Sequence, residues 1–355
     1  MRKTGDYYKL GELNYFIPHP LPPLNPPLEL NAEIMSLYGE ASFALGQLNE
    51  MSLRLPDPKR FIKAYVIKEA LLSSAIEGIH TTILEVFTQS LEESKKVNKD
   101  TQLVLNYHEA LDTALSMIKD EGLPLVTRVI LRAHEALLYG GEGDKAAPEI
   151  SKLMSDLEKY INEPSDIPVL IRAGLAHVQF ETIHPFADGN GRIGRLLIIL
   201  MLVDSKLLSL PVLYPSYYFK KHHFEYYQTL DRVRTNGDFE GWIFYYLKAI
   251  KNSAIDAHTR AKEIESLEVQ LKYMILNNHE FTKMRDTALS VLDFLFTQPV
   301  TGIAEMSKKL GKAYNTANNI LNIFVKLGFV SESIIHKRNK LYRFTAYLNL
   351  LEKEY

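Results

Sequence analysis

One stretch holds more usable chemistry than the rest of the chain: His184-Pro185-Phe186-Ala187-Asp188-Gly189-Asn190-Gly191-Arg192-Ile193-Gly194-Arg195. It brings a titratable base, a carboxylate, a glycine-bearing turn and two fixed cations close together, a set that suits a nucleotide polyphosphate. The apolar run Leu196 to Val203 reads as a buried helix with the arginines in its first turn, which puts Gly189, Asn190 and Gly191 at its N-terminus. Unpaired backbone N–H groups point outward there, and the helix dipole favours a bound anion. Glycine lets the backbone approach phosphate oxygens, and Arg192 and Arg195 share one helix face and can grip the same anion.

His184 precedes a proline, which predicts an extended backbone and a ring projecting from a loop toward the turn. An imidazole that is largely neutral near neutral pH is a suitable general base for a hydroxyl nucleophile. Asp188 is a hard oxygen donor, and one carboxylate beside phosphate oxygens is a setting for Mg²⁺; the alternative is an Asx-turn acid that stabilises Gly189 to Gly191. Phe186 reads as a core anchor.

These groups need helices on both sides. Leu170 to Thr182 has the pattern of a helix that delivers the chain into His184. Upstream, helical periodicity begins near Leu30, is broken at Pro56-Asp57-Pro58, and resumes to Ser73-Ser74-Ala75-Ile76-Glu77-Gly78, where Gly78 serves as a stop. Glu77 is then a carboxylate at a helix C-terminus, unfavourable with the dipole by ~0.3–1 kcal/mol, and it requires either solvent or a cation. Further helices are expected over Glu85 to Asp120, with a polar interruption at Glu92 to Asp100, and over Val126 to Leu138 with Thr127 as N-cap. Others are expected over Ala146 to Asn162, around Tyr226-Tyr227, and from Phe239 to about Ala257. Residues 17 to 27 are rich in proline and predict an extended, polyproline-like strap. Strand candidates are scarce, and the first ~280 residues read as one all-α unit.

The bulk composition narrows the class. At 355 residues, 46% hydrophobic and 24% charged, the chain is globular and long enough for two or three domains. A net charge of -2 gives no global sign of nucleic-acid or membrane affinity, and the absence of cysteine excludes disulfides and thiolate chemistry. No signal peptide and no apolar run near the ~20 residues of a membrane span are evident, so a soluble cytoplasmic protein without membrane contact is expected. The tail differs locally. Helices at Asp286 to Phe296, Ile303 to Leu310 and Tyr314 to Leu327 precede a hairpin with a turn at Lys337 to Lys340, the order of a winged helix-turn-helix. Between Pro299 and Thr345, eight Lys or Arg face Glu305 and Glu332, an excess of +6 that permits DNA contact; protein association is the competing use.

The central stretch resembles, at every fixed position, the His-Pro-Phe-x-(Asp/Glu)-Gly-Asn-Gly-Arg-x-x-Arg motif of Fic-domain proteins. Ser73, Glu77 and Gly78 match the fixed positions of that family's N-terminal inhibitory segment, (Ser/Thr)-x-x-x-Glu-(Gly/Asn). The resemblance implies an all-α Fic-type core with a helical N-terminal region and a small C-terminal winged helix-turn-helix. It implies transfer of AMP from ATP, with Mg²⁺, to a Ser, Thr or Tyr hydroxyl of a target protein or of the chain itself, releasing pyrophosphate. His184 would be the base and Asp188 the metal ligand. Gly189, Asn190, Gly191 and Arg192 would cradle the phosphates, Arg195 would fix the γ-phosphate, and Glu77 would pair with Arg195 to block that position. Tyr227 either lines the base pocket or, more simply, belongs to the core. The loop Gly140 to Lys145 is shorter than the flap hairpin that usually clamps the target.

The expected divisions are an N-terminal region over 1–105, a catalytic core over 106–257, a connecting helix over 258–285 and a winged helix over 286–355. Two other readings stand beside the transferase: a DNA-binding regulator with a nucleotide-sensing core, and a family variant that moves another phosphate-containing group or removes AMP. A homodimer is compatible with either.

Overall fold

Helix α7 (Val169–Ile183) and helix α8 (Asn190–Asp204) form the centre of the molecule because almost every residue in both is buried, Leu196 to Val203 included. Burying one Leu or Ile contributes roughly 1.5–3 kcal/mol, so this apolar pair is a rigid base for the residues between them. Gly174 lets α7 approach its neighbour closely: a Cβ there would lie 2.6 Å from the Tyr246 ring, and the Gly174 carbonyl accepts the Trp242 indole N–H at 2.7 Å.

The structure is a computed structural model that describes residues 2–10, 13–54, 58–89, 98–138, 148–336 and 339–353. The other helices are α1 (Ala32–Arg54), α2 (Pro58–Ile76), α3 (Ile83–Gln89), α4 (Lys99–Lys119), α5 (Thr127–Leu137), α6 (Pro148–Asn162), α9 (Ser216–Lys221), α10 (His223–Asn236), α11 (Phe239–Asn277), α12 (Arg285–Thr297), α13 (Ile303–Leu310), α14 (Tyr314–Lys326) and α15 (Thr345–Glu352). With fifteen α-helices and only five short strands among the described residues, the class is all-α. No described helix is long and apolar enough to cross a membrane. The expected loop at Gly140 to Lys145 lies outside the described residues, as do Pro56, Asp57, Lys337 and Arg338.

Several expectations are corrected. The first residues form an antiparallel hairpin, β1 (Gly5–Leu10) with β2 (Leu13–Pro18), where no strand was expected. Its strands lack apolar–polar alternation because Tyr7, Tyr8 and Tyr15 are all exposed. Cross-strand aromatic pairs, Tyr8 on Tyr15 at 5.9 Å and Tyr7 on Phe16 at 5.0 Å, hold it instead. The proline-rich segment is a strap, but it folds back through a Leu24↔Pro27 bridge rather than running extended. Buried Arg2 pins it by donating to the carbonyls of Pro26 and Pro27 while pairing with Glu240. Thr127 is not the N-cap of α5; Val126 takes that place, and the Thr127 N–H donates to the Glu158 carboxylate at 2.7 Å. Helix α11 runs without a break through Ala257, so the expected amphipathic and connecting helices are one element.

The tail is built as α12, β3 (Val300–Gly302), α13, α14, β4 (Ser331–His336), β5 (Asn339–Arg343) and α15. Its sheet has three strands in the order β3-β5-β4, one more than the expected hairpin, and α15 is also an addition. The tail shares the main core instead of hanging on a linker. Gln298 donates to the Phe87 carbonyl at 3.2 Å, and Arg260 of α11 donates to the Lys353 carbonyl at 3.2 Å.

Candidate active site

Helix α7 ends at His184, whose left-handed backbone (φ 51°, ψ 59°) turns the chain out, and Pro185 prevents its continuation. The expected extended conformation at His184 is therefore wrong: the helix stop overrides the local preference of a residue before proline. The ring is exposed. Helix α8 then begins after Gly189, which takes φ +82°, open to glycine at little cost. The first α8 bond runs from the Ile193 N–H to the Gly189 carbonyl, leaving the N–H groups of Asn190, Gly191 and Arg192 ahead of the helical ladder.

The loop between the helices is tied down by its own side chains. Asn190 accepts the Phe186 N–H at 2.9 Å and donates to the Phe186 carbonyl at 2.6 Å, so its side-chain amide is spent on shaping the turn. Asp188 accepts the N–H of the next residue, Gly189, at 2.6 Å, which is not the Asx-turn bond two residues on, and its side chain is 73% exposed with both oxygens 3.3 Å from Arg192 Nη2. Phe186 is only partly buried and stacks face to face on His134 at 3.6 Å. His134 Nε2 lies 2.9 Å from the Asp188 carbonyl, and burial lowers the pKa of this imidazole; as the neutral Nε2–H tautomer it donates to that carbonyl.

Both arginines are buried, with different partners. Arg192 reaches Asp188, while its Nε and Nη1 are shut off from solvent with no partner among the described residues. Burial lowers its pKa despite Asp188, which marks a cation short of negative charge. Such orphaned donors beside a helix N-terminus fit phosphate oxygens. Arg195 is held by the end of α2 and the turn after it: Nε donates to Ser73 Oγ at 2.8 Å, and Nη2 donates to the Ser73 carbonyl at 3.0 Å and to Glu77 Oε1 at 2.7 Å. Against the burial that opposes its charge, Tyr226, Glu77 and Glu181 keep its pKa above the ordinary value. Glu77 has thus found a cation. Gly78, at φ +78°, ends the turn that presents it.

The sequence did not single out four residues that complete this arrangement: His134, placed above, and Glu181, His177 and Glu69. Glu181 lies on α7; its residue surface is partly open, but Oε1 is sealed without a partner, and burial raises the carboxyl to about 7. It is the sole acid in α7, and that was the available signal. His177 bridges the Gly194 carbonyl at 2.7 Å and the Tyr226 hydroxyl at 2.8 Å, and burial depresses it to about 3, so it is neutral. Glu69 fastens α2 to α9 by accepting the Ser216 N–H at 3.1 Å and its hydroxyl at 2.5 Å. Tyr226 is wholly buried, whereas Tyr227 is 43% exposed at the rim and is not a core residue; burial raises its hydroxyl within the field of Glu77, Arg195 and Glu181.

The fold and this site define an all-α protein built around a helix N-terminus whose first N–H groups lie ahead of the helical ladder, with an intramolecular carboxylate at its second arginine. A sequence model of the Fic/DOC family N-terminal region matches residues 35–116. A protein adenylyltransferase fic-1 of Caenorhabditis briggsae is 32% identical over 114 residues, 31% of this chain and 21% of that protein. A protein adenylyltransferase Fic of Nematostella vectensis is 27% identical over 264 residues, 67% of this chain and 58% of the other. The chain thus spans about a fifth of the length of the first curated relatives it matches. Among solved structures, a Fic family protein from Desulfovibrio desulfuricans G20 aligns with a TM-score of 0.53 at 22% identity, covering 89% of this chain and 97% of that one. Fic-1 from C. elegans aligns with a TM-score of 0.51 at 19% identity, covering 67% and 74%. The chain is thus similar to Fic proteins, in its N-terminal region by sequence and in its overall fold by structure.

Proposed function

We propose that the protein transfers AMP from ATP to a Ser, Thr or Tyr hydroxyl of a protein target or of itself, and that Glu77 holds this activity in check. The observation that carries the reading is the Arg192 guanidinium in the first turn of α8, which meets Asp188 through Nη2 and leaves its other two nitrogens without a partner among the described residues. The N–H groups of Asn190, Gly191 and Arg192, with the Arg192 guanidinium, would receive the phosphates of ATP. The exposed Asp188 carboxylate and its helix-terminal setting fit Mg²⁺, which when bound would neutralise phosphate charge. His184 takes the proton of the incoming hydroxyl. The oxygen–α-phosphorus bond forms, the bond to the bridging oxygen breaks, and pyrophosphate leaves with that electron pair.

With Glu77 on Arg195, the γ-phosphate meets a carboxylate where it needs a cation, so ATP binds weakly or out of line. Tyr227 stands at the rim, where a base would stack. The test is intact-mass analysis of the Glu77→Gly protein after incubation with Mg²⁺ and ATP, UTP or CDP-choline. A gain equal to AMP, seen with ATP alone, is expected; a gain from UTP or CDP-choline instead would assign a different group transfer.

The tail supports a second role. Its order of elements is that of a winged helix-turn-helix, with Lys308 and Lys309 in the last turn of α13 and Tyr314 53% exposed at the start of α14. Contact with DNA through this face would be salt-dependent. A gel-shift titration of the full chain at two ionic strengths tests it, and binding without salt dependence would count against it.

A further inference from the structure

Two glycines three apart on α8, Gly191 and Gly194, each admit a carboxylate against the helix. A Cβ on Gly191 would lie 2.1 Å from Glu77 Oε1, and a Cβ on Gly194 would lie 2.4 Å from Glu181 Oε1. Residues at that spacing share a helix face, so one acid from the turn after α2 and one from α7 meet the same stretch of α8. Arg195 follows directly. Its Nη2 donates to Glu77 at 2.7 Å and its Nε to Ser73, while Glu181 Oε1 is shut off from solvent with no hydrogen-bond partner among the described residues. Two carboxylates thus stand around one guanidinium, and one of them keeps an oxygen that nothing satisfies.

The other titratable groups near Glu181 are neutral. His177, one turn back on α7, is depressed by burial to about 3, and burial raises the Tyr226 and Tyr227 hydroxyls of α10. Burial lifts the Glu181 carboxyl to about 7; Arg195 opposes that rise and Glu77 adds to it. The charge of Glu181 therefore changes near neutral pH under the influence of one cation and one anion.

We propose that Glu181 is a positioning residue that sets how firmly Arg195 holds an anion. Uncharged, it leaves the guanidinium to the Glu77 carboxylate or to a phosphate group; charged, it draws the guanidinium toward itself and repels either anion. The coupling is reciprocal, so an anion on Arg195 makes Glu181 keep its proton more tightly. Below about pH 7 Glu181 carries its proton and the anion is held; above it the grip loosens. The coupling acts with α2 in place. Its phosphate half rests on the transferase reading above; its Glu77 half does not.

Carboxyl-carbon NMR titration of the full chain, isotopically labelled at glutamate, tests the Glu77 half, with the Glu181 signal assigned by its absence from Glu181→Gln. Glu181 should hold its proton at least threefold more weakly in Glu77→Gln than in the wild type, because the neighbouring negative charge is gone. An unchanged midpoint would overturn the proposal. Calorimetry with tripolyphosphate, a triphosphate without a base, tests the phosphate half by comparing Glu77→Gly with the double variant Glu77→Gly, Glu181→Gln. The two should bind within about twofold of each other at about pH 6, and the double variant at least threefold tighter at about pH 8. A ratio that does not change with pH would overturn this half, since titration of the probe and of the histidines is common to both proteins. No binding in either protein would count against the nucleotide reading, and the NMR result would still decide the coupling of Glu181 to Glu77.

Discussion

Glu77 Oε1 lies 2.7 Å from Arg195 Nη2, joining residues 118 positions apart. The same oxygen sits so close over the first turn of α8 that a Cβ on Gly191 would approach it to 2.1 Å. A carboxylate therefore already lies against the helix N-terminus that an anion would use. Two anions in that space repel, so phosphate binding and the Glu77 contact compete directly.

His184→Ala should leave ATP binding within about twofold and lower transfer by roughly 10²–10⁴, the usual range for loss of a general base. The ring is exposed at the end of α7 and supports no packing, so the fold is expected to survive. Binding by calorimetry and transfer by mass spectrometry, both in the Glu77→Gly background, separate the two effects. Retained transfer would overturn the base assignment.

Arg192→Met should abolish ATP-induced stabilisation while leaving the free protein as stable or more so. Arg192 is a buried cation with two unpartnered nitrogens, and its partner Asp188 is well solvated without it. Replacing such a charge with an apolar side chain of similar length is neutral or favourable by ~1 kcal/mol or more. Thermal unfolding with and without ATP is the measurement. A large drop in melting temperature would mean that the arginine is structural.

Glu69 gives the chain a pH dependence. Burial raises its carboxyl from 4.5 to about 7, so the folded state keeps a proton that the unfolded state releases in that window. The stability this group contributes is fully present below about pH 4.5 and is lost as pH rises to about 7, by about 1.4 kcal/mol per unit. Glu181 is raised by burial to the same region. Glu69→Gln should therefore roughly halve the fall in melting temperature between about pH 5 and about pH 7, read by circular dichroism. An unchanged slope would mean that Glu69 titrates normally.

Much of the site was legible because its chemistry is contiguous: His184 to Arg195 is a loop and one helical turn, where residue type and spacing are enough. Glu77 stood out through the turn signal at Gly78 and the cost of an acid at a helix end, which left solvent and a cation open, and only the family resemblance pointed to Arg195. Glu69, His134 and His177 were not, since each acts through partners 17 to 147 residues away, such as Gly194 for His177 and Ser216 for Glu69, and Glu181 was not because only the packing around it shows its carboxylate sealed. In the fold, the strongly apolar helices α7 and α8 fell close to their expected ranges. The β1–β2 hairpin was missed because exposed tyrosines on both strands erase the period of two, and α11 was divided because a rise in polarity near Ala257 is only its change from one packing partner to others.

The central claim, that Glu77 restrains a transferase, is tested most directly by comparing wild-type and Glu77→Gly proteins incubated with Mg²⁺ and ATP radiolabelled at the α-phosphate. Incorporation into the protein should rise at least tenfold in Glu77→Gly, about the effect of ~1.4 kcal/mol or more released at the Arg195 site. Equal labelling of the two proteins would contradict the account.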